Sequence, residues 1–153
     1  MFENIARINE DIWTLASYEI AKVHKNWYPK YEKLYRPKTK ALIEKGLAVK
    51  RKTHQEMLEK QKELRYLIEQ KMLQEGIDLW ICPAASSYAP KLSDSINVGN
   101  PLMNIPWTFT GLPSVSVPIK NSGKMPFGLQ LVARYEKDEM LLCNSTEIER
   151  IIN

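Results

Sequence analysis

Trp107-Thr108-Phe109-Thr110-Gly111-Leu112-Pro113-Ser114-Val115-Ser116-Val117-Pro118 and, soon after it, Met125-Pro126-Phe127-Gly128-Leu129-Gln130-Leu131-Val132-Ala133 decide how this chain folds. Gly111 ahead of Leu112-Pro113 permits a tight turn with positive φ or a close backbone approach. Ser114 to Ile119 and Phe127 to Ala133 read as two strands. Asn121-Ser122-Gly123-Lys124 between them supplies turn chemistry, so the pair is expected to form an antiparallel hairpin. Gly128 inside its strand marks a place where another backbone or a ligand comes near. Gln130 is polar on an apolar strand, so if buried its amide needs partners. All three read first as residues that shape the sheet, and only second as substrate contacts.

Upstream, Ile77-Asp78-Leu79-Trp80-Ile81-Cys82 is a short apolar run stopped by Pro83, the pattern of a buried strand. Residues 83 to 106 are rich in Pro, Ser, Asn and Gly and lack periodicity, which predicts a long loop that is either functional or a sign of something missing. The first half is helical. Ile5, Ile8, Ile12, Leu15, Ala16, Ile20 and Val23 recur at helical spacing, predicting a helix over residues 3 to 25 that ends at Tyr28-Pro29. A second helix runs to Lys45, broken or bent at Arg36-Pro37, with Gly46 as a left-handed cap. Thr53-His54-Gln55-Glu56 has the form of a capping box. It would open a helix with Met57, Leu64, Leu67, Ile68 and Met72 on one stripe, closing at Gly76. A last helix spans about Asp138 to Ile151, with Met140, Leu141, Ile148 and Ile151 on its apolar side.

Composition narrows the class. The 153 residues are 44% hydrophobic and 26% charged, proportions of a globular domain with a real core. No apolar run is long enough to cross a bilayer, and the amino terminus has no secretion signal, so a cytoplasmic protein without membrane association is expected. Cys82 and Cys143 lack CxxC spacing and His companions, so neither metal nor cofactor is expected. Residues 22 to 71 hold fifteen Lys or Arg against six Asp or Glu. Trp27, Tyr28, Tyr31 and Tyr35 interleave with those lysines and could stack on bases or pack against a helix. The segment reads as solvated helix faces, and nucleic acid is not expected as a partner.

The two opening motifs resemble the closing segment of amidase signature enzymes, in which a Thr-Gly-x-Pro turn leads into a strand ending in Pro and a Pro-x-Gly-x-Gln strand follows. Asp78-Leu79-Trp80-Ile81-Cys82-Pro83 is similar to that family's Asp-apolar-apolar-x-x-Pro strand, with Ala89-Pro90 a few residues later. The preceding helices also fit the family's order. The resemblance implies an α/β fold: part of a mixed β-sheet covered by α-helices, the carboxy-terminal portion of the family fold, behind a helical amino-terminal half. Residues 1–153 would be a single partial domain, mainly helical over 1–76, with strands, loop, hairpin and closing helix over 77–153.

The family's chemistry uses a Ser–cis-Ser–Lys triad and a Gly-Ser-Ser-Gly-Gly loop whose backbone amides hold the oxyanion. No such loop occurs in this sequence. Ala85-Ser86-Ser87-Tyr88 offers two adjacent serines without flanking glycines and reads as a turn. Cys82 with His24 or His54 is a further pair set aside, because both histidines lie in charged helices. No catalytic residue is therefore assigned.

The expectation is a carboxy-terminal amidase part (amide C–N hydrolysis) that is inactive alone. Pro83, Ala84, Ala85, Met103, Trp107 and Thr108 would line its pocket for a small amide substrate. Many relatives have Asn where this sequence has Thr108, which alters the polar group offered there. An amino-terminal amidase partner or self-association would complete it. The alternatives are a non-catalytic interaction protein on the same fold, or part of the ammonia-supplying amidase-type component of a transfer-RNA-dependent amidotransferase.

Overall fold

A computed structural model describes residues 5–89, 91, 101–120 and 125–153. The hairpin forms as expected. Strand β2 (Ser114–Ile119) pairs antiparallel with β3 (Phe127–Val132), from Ser114 opposite Val132 to Ile119 opposite Phe127. Its turn, residues 121–124, lies outside the described residues. The upstream strand is shorter than expected: β1 covers Trp80–Pro83 and adds antiparallel to β3, giving the order β1-β3-β2. The parallel pairing that a mixed sheet requires does not occur among the described residues. Nor is β1 a buried strand, since Ile81 is exposed. The apolar run 77–82 instead starts with the stop of the preceding helix.

That helix, α4 (Arg51–Gln74), ends as its sequence suggests. Gly76 takes a φ of +65°, and Ile77 N–H reaches back to the Met72 carbonyl at 2.8 Å, closing the left-handed stop. Its start differs from expectation. Arg51 is already helical, so Thr53 lies inside the first turn and the capping box is not used. Met57, Ile68 and Met72 are buried on α4, but Leu67 faces solvent. On the last helix, α6 (Asp138–Ile152), Leu141 is buried and Ile152 replaces the exposed Ile151 on the apolar side. Asp138 and Glu139 occupy the first turn of α6, where carboxylates complement the helix dipole.

The chain divides between Glu63 and Leu64 into two compact units. In the unit Leu64–Asn153, alternation splits the sheet into two faces. Val115, Val117, Leu129 and Leu131 point to one face and pack with Met140, Leu141, Ile148 and Ile152 of α6. Burying each such side chain contributes about 1.5–3 kcal/mol. The opposite face carries Cys82, Ser116, Gly128 and Gln130, and there the site is built.

In the unit Phe2–Glu63, α1 (Ile5–Val23) packs on α3 (Pro37–Ala48). A four-residue helix, α2 (Tyr28–Tyr31), and a 3-10 turn over Glu32–Leu34 lie between them. Pro37 starts α3, as the fixed φ of proline allows. Gly46 is not a cap but an interior residue of α3. A Cβ there would fall on the Ser17 carbonyl and lie 2.8 Å from Ala21 Cβ, so Gly46 is what lets the two helices touch. Lys60 Nζ meets both carboxylate oxygens of Asp11 at 3.0 and 3.1 Å, tying the start of α4 to α1.

Candidate functional site

The loop read over residues 83 to 106, of which 90 and 92–100 lie outside the described residues, runs at its end into a helix. Helix α5 (Ile105–Thr110) has Pro106 in its first turn and ends on Gly111 at φ +69°, whose N–H donates to the Trp107 carbonyl at 2.8 Å. Thr110 Oγ1 donates to the Pro106 carbonyl at 2.7 Å and is fully buried. The positive φ expected of Gly111 is thus present, as the stop of a helix.

Gln130, 5% exposed, makes the amide bonds its burial requires. Its Nε2 donates to Asn104 Oδ1 at 2.7 Å, and its Oε1 accepts from the Cys82 thiol at 3.5 Å. Burial pushes the Cys82 thiol up from its ordinary value, and the neighbouring Trp107 side chain opposes this more weakly. A polar chain therefore runs Cys82, Gln130, Asn104, stitching the start of α5 to β1 and β3. Gly128 lies one strand repeat from Gln130 on the same face. A Cβ at Gly128 would strike Ser116 Oγ and lie 3.2 Å from Ala84 Cβ, while Ala84 N–H donates to the Gly128 carbonyl at 2.9 Å. The close approach inferred from sequence is thus between strands.

Arg65 of α4 holds the other end of α5. Its Nε donates to the Thr110 carbonyl at 2.6 Å, and its guanidinium lies 4.1 Å over the Tyr135 ring. Glu69 Oε1 accepts the Tyr135 N–H at 3.0 Å. Neither Arg65 nor Asn104 stands out in the sequence. Asn104 precedes Ile105-Pro106, a usual place for a helix cap, yet its side chain is spent on Gln130.

The six pocket candidates are spread around this network. Trp107 is buried, Ala84 and Met103 are half-buried, and Pro83, Ala85 and Thr108 are exposed. Trp107 lies beside Cys82 of the polar chain, and Ala84 bonds Gly128 on the same strand as Gln130. The nucleophiles set aside on sequence stay aside. Ser87 Oγ donates to the Tyr88 carbonyl at 3.2 Å, as a turn serine does. His24 and His54 have other partners, Tyr35 at 2.7 Å and Glu19 at 3.3 Å, and His54 is stacked on Tyr18 instead of lying free on a surface. The Cys82–Gln130–Asn104 chain contains neutral donors and acceptors, and its bonds join α5 to the sheet.

Comparison with known proteins places this geometry. The Amidase family matches residues 2–142, and the chain belongs to that family. The A subunit of glutamyl-tRNA(Gln) amidotransferase from Sulfurimonas denitrificans is 38% identical over 84 residues, covering 52% of this chain and 19% of that protein. The mitochondrial counterpart from Fusarium vanettenii is 31% identical over 83 residues, covering 50% of this chain and 16% of that protein. An amidase crystal structure shares the fold, with a TM-score of 0.81 and 21% identity, over 97% of this chain and 36% of that one. The chain thus spans about a third of the solved amidase and the matched stretch under a fifth of these relatives.

These findings correct the expectation of a carboxy-terminal portion that is inactive for want of catalytic residues. The family match runs continuously from residue 2 to residue 142, so the helical first half is family domain as much as the strands are. The fold is accordingly one continuous amidase fold, helical region first and sheet with helices after. Membership of that kind gives no ground for calling the chain an inactive end piece. Among the described residues, no helix is long and apolar enough to cross a membrane.

Proposed function

We propose that this chain acts in amide-nitrogen chemistry as the amidase-type component of an amidotransferase: it works in releasing ammonia from an amide for transfer to glutamyl-tRNA(Gln). The observation that carries this reading is the identity of 31–38% to such amidotransferase components across half of the chain. A carboxamide ligand is the substrate class that this reading implies. Pro83, Ala84, Ala85, Met103, Trp107 and Thr108 are proposed as the wall against which that ligand rests. The partners are then the other components of an amidotransferase, in place of an amino-terminal amidase half. A cytoplasmic setting goes with the free thiols of Cys82 and Cys143.

The test is glutamine-dependent ammonia release by the assembly recovered through a tag on this chain at native expression. Release that rises with glutamyl-tRNA(Gln) supports the reading. Hydrolysis of simple amides by the chain without partners, indifferent to that RNA, contradicts it.

A further inference from the structure

The aromatic residues that interleave with lysines after α1 fall into two sets, which the sequence alone could not separate. One set faces inward. His24 Nδ1 bonds Tyr35 Oη at 2.7 Å, Tyr28 and Tyr35 meet edge-on at 5.5 Å, and Tyr28 Oη donates to Glu44 Oε1 at 2.9 Å. These bonds pin the segment to α1 and α3. The other set faces out. Lys30 and Tyr31 N–H both donate to the Trp27 carbonyl at 3.0 Å, so Trp27, Lys30 and Tyr31 lie on one helical face. Leu34 extends the same spacing. Trp27 is 54% exposed and Tyr31 52%.

The charge along this segment is mostly positive. Lys22, Lys25, Lys30, Lys33, Arg36 and Lys38 are all exposed, while the only carboxylate between them, Glu32, is bound by Lys40. Lys22, Lys25, Lys30, Arg36 and Lys38 form no ion pair among the described residues. We propose that this face, centred on Trp27, Lys30 and Tyr31, binds single-stranded nucleic acid, the two rings stacking on bases and the lysines meeting phosphates. Stackable rings set among cations are the means by which single strands are held without sequence preference. Protein interfaces are depleted in lysine, which argues against an acidic protein as occupant. A helix that lies on a lipid surface buries a continuous apolar face, which the four residues of α2, with none buried and Lys30 beside Tyr31, do not form. The inference stands independently of the amidotransferase reading, since it asks for no particular RNA.

The experiment is fluorescence anisotropy with the full chain and labelled twelve-residue oligouridine, alongside the matching DNA oligonucleotide, across a salt series. Binding should weaken linearly in log–log form, and Lys30→Ala with Lys33→Ala should flatten the slope by about 0.7 for each phosphate left unneutralised. Trp27→Ala with Tyr31→Ala should weaken binding by about thirtyfold or more at fixed salt and leave the slope unchanged. Lys62→Ala, on exposed α4, serves as the charge control, and circular dichroism confirms folding of each variant. Absence of binding at low salt, an equal loss with Lys62→Ala, or binding to phosphatidylserine vesicles or an acidic peptide but not to either oligonucleotide would each overturn the proposal.

Discussion

Gln130 and Asn104 share a hydrogen bond of 2.7 Å that joins the central strand of the sheet to the start of α5. Truncation at Gln130→Ala removes this bond and the acceptor of the Cys82 thiol together. Unfolding by urea should show a loss of about 1–3 kcal/mol, the cost of leaving buried partners unsatisfied. A midpoint unchanged from the parent chain would mean the network does not hold α5.

The two glycines at Gly46 and Gly76 should respond differently to alanine. Helix propensity alone favours Gly46→Ala by about 1 kcal/mol, because the position is inside α3. The Ser17 backbone leaves no room for the methyl, so net destabilisation of about 1–3 kcal/mol is expected from separating α1 and α3. Gly76→Ala meets open space and should lose only about 1–2 kcal/mol to its left-handed φ. Thermal melts of both variants decide it, and a stabilised Gly46→Ala would contradict the packing.

Arg65→Lys should fail to replace Arg65. The guanidinium both bonds the Thr110 carbonyl and stacks on Tyr135, a pairing that needs a planar fork. Arg65→Ala and Arg65→Lys are both expected to lose about 1–3 kcal/mol in chemical denaturation. Full retention by lysine would show that only charge matters there.

The two cysteines should alkylate in a fixed order. Cys143 is exposed, whereas Cys82 is half-buried with a thiol pushed up by burial, so less of it is thiolate at neutral pH. Mass spectrometry after brief iodoacetamide treatment should find Cys143 modified first. The pH at which Cys82 reacts half-maximally should lie above the ordinary thiol value. First reaction at Cys82 would contradict its burial.

Local rules make the hairpin legible. Two strands of the right length flank a turn, and alternation fixes which residues face α6. Gly76 and Gly111 are readable because left-handed helix stops favour glycine. Gly46 reads as a cap in sequence because its true reason is tertiary: another helix crosses it, and a crossing leaves no mark in local spacing. The capping box at Thr53 fails similarly, since α4 starts two residues earlier than the motif. Helix α5 escapes detection because six residues with a proline are too short to show a period. Of the site, Gln130 is visible as a polar residue on an apolar strand. Asn104 and Arg65 are not, being ordinary polar residues whose partners lie 26 and 45 positions away in sequence.

The amidotransferase reading meets its most direct test in the fate of one nitrogen atom. The assembly recovered through this chain would be given glutamine labelled with nitrogen-15 at the side-chain amide, together with glutamyl-tRNA(Gln) and ATP, which activates the glutamate carboxylate so that its oxygen leaves as phosphate. Mass spectrometry of the amino acid released from that RNA is the readout. The account expects glutamine carrying the label in its side chain, with yield reduced when Gln130→Ala replaces the parent chain. Label found only as free ammonia, with glutamate still on the RNA at every enzyme concentration, would contradict it.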